Sequence, residues 1–211
     1  MEPRSKLAAR FGLALLLLAI AAGVGATPPA PAKQVWDFEG DEPGKLAQGF
    51  SSEAGRWAVV AEAGHRVLAQ QAESGDDTFN LALVAGTSAR DLDLSVRIKA
   101  VAGKDDRGGG LVWRAKDARN YYIARYNPLE ANFRAYKVEA GRRTMLRDAK
   151  VPGDGAWHTL RVTMVGPKIT CDLDGKRHLE AEDSTFPEAG RVGLWSKADA
   201  RSYFDDLTLA D

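Results

Sequence analysis

The chain has 211 residues, of which 45% are hydrophobic and 27% charged, and its 29 basic residues balance its 29 acidic ones. This length supports one domain with a substantial hydrophobic core. The neutral balance argues against nucleic acid as a partner, because duplex binding relies on a strong excess of basic residues. The single cysteine, Cys171, excludes an intrachain disulfide and is expected in the core, because it lies within an alternating strand pattern.

The first 26 residues have the order typical of a secretory signal peptide. Three basic residues precede the apolar run 11–22, and the small residues that end at Ala26 fit a cleavage site. The run is short for a bilayer span, which takes about 20 residues, and an uncleaved N-terminal anchor is the alternative. We predict no transmembrane span in the mature chain and export to the periplasm or the extracellular space. Residues 27–34 are then a Pro/Ala linker and residues 35–211 the folded domain.

Thirteen short segments with β-strand character follow, separated by turns rich in Gly, Pro, Asn and Asp. Polar and apolar residues alternate clearly in several of them. In chain order they are VWDFE, WAVVA, RVLAQ, FNLALVA, LDLSVRIKAV, GLVWRA, NYYIARY, FRAYKVE, TMLRDA, WHTLRVTMV, KITCDLDG, RVGLWS and SYFDDLTLA. Only the region 177–190 allows one short helical turn. So many short strands in one domain predict an all-β sandwich or barrel.

Three stretches of the second half resemble a known family. They are GLVWRAKDARNYYIARYNPLEANFRAYKVEAGRRTML, WHTLRVTMVGPKITCDLDG and GRVGLWSKADARSYFDDLTL. Their order resembles the concanavalin A-like jelly-roll domains, and most of all the secreted bacterial 3-keto-disaccharide hydrolase domains and the laminin-G-like domains. The resemblance implies a jelly-roll sandwich of two curved antiparallel sheets, with sugars bound on the concave face. It specifies function weakly, because the same sandwich carries lectins, hydrolases and adhesion modules.

Arginines lie inside three neighbouring predicted strands, at Arg114, Arg125 and Arg134. An unpaired buried guanidinium is too costly for a core, so we expect all three on a face that water or ligand reaches. Strand alternation adds three neighbours to that face, and the set has the character of a sugar- or anion-binding surface. The added residues are Tyr121, Asn127 and Tyr136. The alternative is a solvated outer face whose arginines pair with nearby Asp or Glu.

No catalytic constellation is found in the sequence. A glycoside hydrolase needs paired carboxylates that flank the scissile bond, and the acidic residues here lack the spacing of the family-sixteen glycoside hydrolases. The histidines, His65, His158 and His178, match no metal-binding or catalytic motif. Packing is the expected role of His158. The glycine-rich stretch 106–110 is predicted to be a turn before a strand.

Acidic residues near both ends of the predicted domain allow two interpretations. First and last strands often pair in such sandwiches, so Glu39 could meet Asp205 and Asp206 and bind a structural calcium ion through carboxylate oxygens. The alternative is that these carboxylates accept backbone hydrogen bonds at strand ends. Neither interpretation makes a cofactor a requirement.

Three functions are compatible with these observations. The first is an exported, non-catalytic carbohydrate-binding domain whose partner is a glycan or small saccharide. The second is a glycoside-acting hydrolase of the 3-keto-disaccharide hydrolase type, as the resemblance implies. The third is an extracytoplasmic protein-interaction domain, whose partner the sequence does not identify. The missing carboxylate motif favours binding over hydrolysis.

Overall fold

The structure is a computed structural model and describes Met1 and residues 33–211. These residues form fifteen β-strands. They contain no helix, and therefore none long and apolar enough to cross a membrane. In chain order the strands are β1 (Lys33–Trp36), β2 (Phe50–Ala54), β3 (Trp57–Glu62), β4 (His65–Gln70), β5 (Phe79–Val84), β6 (Leu92–Ala102), β7 (Gly109–Asp117), β8 (Asn120–Asn127), β9 (Asn132–Glu139), β10 (Arg142–Lys150), β11 (Trp157–Val165), β12 (Lys168–Leu173), β13 (Lys176–Glu182), β14 (Arg191–Lys197) and β15 (Arg201–Ala210).

The strands form two antiparallel sheets. The eight-stranded sheet has the order β13-β12-β11-β6-β15-β4-β3, and β1 also pairs with β15. The seven-stranded sheet has the order β10-β9-β8-β7-β14-β5-β2. Distant segments meet in both sheets, since β6 pairs with β11 and β15, and β14 pairs with β5 and β7. The predicted all-β sandwich of two antiparallel sheets is confirmed.

Apolar side chains on the facing sides of the two sheets form the main core. In β6, Leu94, Val96 and Ile98 are buried and alternate with half-buried residues, so one face of the strand enters the core. From the other sheet, Trp113 and Tyr122 stack with ring centres 5.6 Å apart. Burying a large apolar side chain stabilises the fold by about 1.5–3 kcal/mol, so a slip of one residue in either sheet would be strongly unfavourable.

A second apolar cluster covers the other side of the seven-stranded sheet. Its side chains are buried although they point away from the main core. The members are Leu81, Leu83, Val112, Ala115, Tyr121, Ile123, Val138 and Trp195. Because both faces of this sheet are covered, every residue of β8 after Asn120 is buried. Polar side chains on the side of this sheet that points away from the main core are therefore buried as well, and they need partners there.

A strand is found at each of the thirteen predicted segments, although β1 shares only Val35 and Trp36 with VWDFE, and two further strands, β2 and β13, are found. The helical turn allowed within residues 177–190 is absent: β13 occupies the first part of that region, and the rest has no helix. Cys171 is buried in the main core, as predicted.

The first and last strands pair, as expected for this type of sandwich, with Lys33 opposite Ala210. β1 begins at Lys33, inside the stretch predicted to be a linker. The predicted signal peptide and most of the predicted linker lie outside the described residues.

Candidate functional site

The seven-stranded sheet curves around its outer side, the side that faces away from the other sheet. Arg143 on β10 and Phe79 on β5 are five strands apart in the sheet order, which in a flat sheet would separate them by about 24 Å. The guanidinium carbon of Arg143 nevertheless lies 5.3 Å from the centre of the Phe79 ring. The sheet therefore bends around this side, which we call the concave face.

Arg125, on β8, lies in the middle of the concave face and is held by side chains from two connecting loops and from the start of β9. Its Nη1 donates to Asp106 at 3.2 Å, and its Nη2 donates to Glu130 at 2.8 Å and to Asn132 at 3.0 Å. Asp106 comes from the loop before β7, and Glu130 from the turn before β9. Because Arg125 is only 1% exposed, these partners replace the water that its guanidinium gives up.

Asp106 anchors this network. Its carboxylate accepts hydrogen bonds from Arg125 and, at 2.8 Å, from Asn127 Nδ2, and Lys197 Nζ lies 4.0 Å away. Burial raises the pKa of Asp106, and the charges of Arg125 and Lys197 offset part of that rise. The loop is fixed by Asp199, whose carboxylate accepts the backbone N–H groups of residues 104–106.

Arg134 lies next to Arg125 and shares one of its partners. Arg134 Nη1 donates to Glu130 and Arg134 Nε donates to Asp148, each at 2.8 Å. The hydrogen bond to Asp148 raises the pKa of Arg134. Burial raises the pKa of Glu130, but the hydrogen bond from Asn132 and the charges of the two arginines outweigh burial, so the pKa is lowered. Glu130 is therefore an ionised carboxylate between two arginines.

Arg143 is surrounded by three aromatic rings. Its guanidinium carbon lies 4.5 Å from the ring centre of Tyr136, 5.3 Å from Phe79 and 5.7 Å from Trp195. Cation–π attraction of this kind contributes about 0.5–2 kcal/mol. Burial lowers the pKa of Arg143, but a guanidinium remains charged in proteins. The concave face thus combines aromatic rings with a half-buried positive charge.

Four buried polar atoms on the concave face have no hydrogen-bond partner within the described part of the chain. They are the Tyr121 hydroxyl, Arg125 Nε, Arg143 Nη1 and Trp195 Nε1. Proteins pair the large majority of such atoms, because an unpaired one costs about 1–3 kcal/mol. Four of them on one face indicate a place where a bound molecule could supply the missing partners.

Two of these atoms, on Tyr121 and Trp195, lie close together. Burial raises the pKa of Tyr121 to about 12, and the Trp195 N–H beside the hydroxyl lowers it only in part, without a hydrogen bond of good geometry. Trp195 also lies next to Arg125, because only Gly110 separates them in the sheet register.

The structure brings five of the six predicted ligand-binding residues to the concave face. Alternation along β8 and β9 places them there, with Arg125 directly opposite Arg134 and Ile123 opposite Tyr136. The five residues are Tyr121, Arg125, Asn127, Arg134 and Tyr136. That they contact a ligand stays a prediction.

Arg114 does not lie on the concave face, and its predicted placement there is wrong. β7 has a bulge at this point: Arg114 has a φ of 47°, and the register with β14 shifts beside it. The side chain extends toward segments that flank the other sheet. It donates to the carbonyl oxygens of Arg90, Phe186 and Gly166 at 2.7, 3.0 and 2.8 Å, and to the Asp91 carboxylate at 3.4 Å.

The expectation that these arginines lie on a solvated surface is also wrong for Arg114 and Arg125, each of which is 1% exposed. A buried guanidinium is costly only while its donors are unpaired. Here carbonyl groups and carboxylates from distant loops pair most of them. Arg134, which is half-buried, keeps partial access to solvent.

Sequence reasoning missed the residues that complete the site. Some of them lie in the turns that flank the arginine-bearing strands, and that position was the available signal, because buried arginines require nearby carboxylates. Trp195 and Lys197 gave no local signal, since they arrive from a strand about 70 residues further along the chain. The missed residues are Asp106, Glu130, Asn132, Arg143, Trp195 and Lys197.

The predicted calcium ligands have protein partners. Glu39 lies 3.1 Å from His65 Nδ1, and Arg97 Nη1 lies 3.1 Å from Asp205 and 3.4 Å from Asp206. In the described part of the chain, no group of three or more His, Cys, Asp or Glu side chains could hold a metal ion. Glu39 and Asp205 also accept backbone N–H groups, from Arg66 and Asp206 respectively, as the alternative interpretation expected.

His158 packs in the structure and also joins two loops. Its Nδ1 lies 2.7 Å from Asp174 and its Nε2 lies 2.8 Å from Asp154, while its ring packs against Tyr126. Burial lowers the pKa of His158, but the hydrogen bonds to the two carboxylates outweigh burial and raise it above the ordinary value. The imidazole thus ties the loop before β11 to the turn between β12 and β13.

The two stacked sheets, one of them curved around an outer face, define a jelly-roll β-sandwich. The carbohydrate-binding module CBM66 from Bacillus subtilis has a TM-score of 0.68 at 24% identity, with 77% of this chain and 96% of the module covered. A GH43 protein from Bacillus licheniformis has a TM-score of 0.61 at 15% identity, with 83% of this chain and 39% of the GH43 protein covered. A glycoside hydrolase family 16 endo-glucanase from Bacteroides ovatus has a TM-score of 0.60 at 11% identity, with 83% of this chain and 99% of the endo-glucanase covered. Likeness at these identities establishes the fold.

A curated relative by sequence is a levanase from Bacillus subtilis, which is 28% identical over 183 residues. The match covers 84% of this chain and 25% of the levanase, so the chain spans about a quarter of that enzyme. A scan against known protein families gives no match. The specific resemblance to 3-keto-disaccharide hydrolase domains is therefore not confirmed.

Proposed function

We propose that this protein binds carbohydrate on its concave face and does not cleave it. The proposal is carried by the four unpartnered polar atoms on Tyr121, Arg125, Arg143 and Trp195. A ligand rich in oxygen atoms that contacts the half-buried Arg143 would bring acceptors to this cluster, and would remove part of the cost of leaving its atoms unpaired. The carbohydrate-binding module and the levanase described above support the same class of ligand.

The chemistry of the concave face suits a sugar. The half-buried ring of Phe79 supplies flat apolar surface beside the guanidinium of Arg143. Arg134 and Glu130 supply a donor group and an acceptor group at the rim, where both side chains are partly exposed. Because ion pairs already hold these rim side chains in place, binding would cost less side-chain entropy than on a flexible surface.

The geometry favours binding over hydrolysis. A glycoside hydrolase places two carboxyl groups about 5–9.5 Å apart, with the scissile bond between them. Asp106 and Glu130 are the carboxylates at the centre of this face, and both accept hydrogen bonds from Arg125. The guanidinium occupies the space that the sugar would need. Release of reducing ends from a bound glycan would support the hydrolase alternative instead.

A glycan array followed by calorimetric titration with the best-bound glycan tests the proposal. Tyr121→Phe removes one unpartnered hydroxyl and no hydrogen bond of the protein. We expect about fivefold weaker binding, since a neutral hydrogen bond contributes about 1 kcal/mol, and an unchanged or higher melting temperature. The matched control is Tyr203→Phe, on β15 of the other sheet, for which we expect wild-type affinity.

Two outcomes would contradict the proposal. One is the absence of binding to any glycan, and capture of a specific protein in its place would favour the protein-interaction alternative. The other is wild-type affinity of Tyr121→Phe, which would move the binding site away from the concave face. Binding of an extracellular glycan would also agree with the export predicted from the N-terminal sequence.

A further inference from the structure

We infer that the chemical group bound at the centre of the concave face is a carboxylate, so that the ligand is a glycan containing uronic acid. The inference rests on the proposed carbohydrate binding and specifies its ligand. Two independent properties of the face carry it: the balance of charges, and the kind of hydrogen-bonding atom that lacks a partner.

Apart from Arg143, the cations of the concave face have carboxylate partners at 2.8–4.0 Å. These ion pairs are Arg125 with Asp106 and Glu130, Arg134 with Glu130 and Asp148, and Lys197 with Asp106. Their charges are therefore balanced within the protein, and a neutral ligand would leave them undisturbed.

Arg143 is the exception among the described residues. No carboxylate of residues 33–211 forms an ion pair with it, and its Nη1 is buried without a hydrogen-bond partner. The charges of Asp106 and Glu130 act on Arg143 only from beyond ion-pair distance. A half-buried cation without a carboxylate in contact is unfavourable, and the aromatic rings around it offset only part of that cost. A negative charge supplied by the ligand would complete the balance of the face.

The aromatic rings beside Arg143 leave its Nη1 without a hydrogen-bond partner. Tyr136, Phe79 and Trp195 lie 4.5–5.7 Å from the guanidinium carbon. The N–H groups of a guanidinium lie in its plane and form a fixed fork. Two such N–H groups match the two oxygens of a carboxylate in a bidentate pair.

The unpartnered atoms form a set of donors. The N–H groups of Arg125, Arg143 and Trp195 can only donate, and the Tyr121 hydroxyl can donate as well. An ionised carboxylate offers about four lone-pair sites and brings no hydrogen atom. Each hydroxyl of a neutral sugar brings a hydrogen atom that needs an acceptor of its own. The set is therefore more complementary to a carboxylate than to a neutral sugar.

Calorimetric titration with matched acidic and neutral probes tests the inference. The acidic probes are oligosaccharides of polygalacturonate, alginate and glucuronoxylan, and each neutral probe is the same oligosaccharide after reduction of its carboxyl groups to alcohols. We expect at least one acidic probe to bind tenfold or more tightly than its reduced form, since charge-assisted hydrogen bonds are about twice as strong as neutral ones. That affinity should fall as salt is added.

Variants on β10 test whether the preference for acidic over reduced probes depends on Arg143. We expect Arg143→Gln to bind the acidic probe and its reduced form within about twofold of each other. Arg142→Gln is the matched control, because Arg142 is the adjacent residue, is exposed and points to the other side of the strand. It should keep the wild-type preference, and unchanged melting temperatures in both variants show that the fold is retained.

Each remaining outcome overturns the inference in a recognisable way. Equal affinity for acidic and reduced probes, or binding of neutral glycans alone, overturns it and leaves the proposed carbohydrate binding in place. A preference for acidic probes that persists in Arg143→Gln places the anion elsewhere. Failure to bind any glycan, acidic or neutral, overturns the proposed function together with the inference.

Discussion

Arg125 shows how a charged residue can belong to the interior of a sheet. Its direct neighbour across the strand pair is another arginine, Arg134, and like charges in that position are destabilising. Glu130 removes the repulsion because its carboxylate accepts a hydrogen bond from each of them at 2.8 Å. Arg125 thus holds the loop of Asp106 and the turn of Glu130 together, and it still has one unpartnered N–H on the concave face.

Removal of Arg125 should therefore unfold the protein more easily. Arg125→Ala removes the closer ion-pair partner of the buried Asp106 and leaves it only Lys197, 4.0 Å away, among the described residues. Breaking a buried pair costs about 3–5 kcal/mol. We expect a decrease of that size in the free energy of unfolding, measured by urea denaturation. The control is Arg161→Ala, which removes an exposed pair with Asp93 and should cost less than about 1 kcal/mol. Equal losses in the two variants would be incompatible with a buried network.

His158 should make stability depend on pH near neutrality. Burial would lower its pKa, but Asp174 and Asp154 raise it above the unfolded value of about 6.5. A raised pKa contributes stability that is fully present below the unfolded value and is lost as the pH rises through the folded value. Comparison of unfolding free energies of the wild type and His158→Gln, from about pH 5 to about pH 9, should show a wild-type advantage that shrinks with pH. An advantage that grows would mean that the pKa is lowered.

At the scale of secondary-structure elements, β2 and β13 are the two strands that the sequence analysis does not predict. Each is an edge strand with one neighbour in its sheet, so much of its surface meets water. Only Leu179 of β13 and only Phe50 of β2 are buried. β13 is also rich in residues that favour helices. The alternation that identified inner strands such as β6 is therefore absent from both.

The part of the site that follows from side-chain alternation within a single strand could be predicted from the sequence. Arg125 and Arg134 share a face because the period of two is a property of each strand alone. Arg114 breaks the pattern because a bulge depends on the pairing with β14, which is distant in sequence. Asp106 and Trp195 join the face through the folded loop and the order of strands. Neither property can be obtained from local sequence.

The pairing of β7 with β8 leads to a prediction at Gly110. A Cβ atom at this position would overlap the carbonyl oxygen of Ala124, so one strand would have to shift. We expect Gly110→Ala to lower the free energy of unfolding by about 1–3 kcal/mol, as overpacking commonly does. Gly40→Ala is the control, because a Cβ there meets no atom within 4 Å, and its effect should stay within about 0.5 kcal/mol. A neutral Gly110→Ala would show that the strands can separate at little cost.

At the scale of the whole molecule, the sequence predicts the cellular location of the protein. The basic, apolar and small residues of positions 1–26 predict export with cleavage after about Ala26. N-terminal sequencing of protein collected from the periplasm or the medium should therefore begin close to Thr27. Recovery of an intact Met1 from a membrane fraction would instead support the uncleaved anchor.

The pairing of the first strand with the last has a mechanical consequence. Lys33 lies opposite Ala210, so residues 33 and 211 lie close together at one edge of the eight-stranded sheet. Force applied to them in opposite directions loads the hydrogen bonds between β1 and β15 one at a time, because antiparallel bonds run perpendicular to the strands. Under tension the domain should peel open from β1 at low force, whereas a load applied through loops at opposite ends of one strand pair would have to break many bonds together.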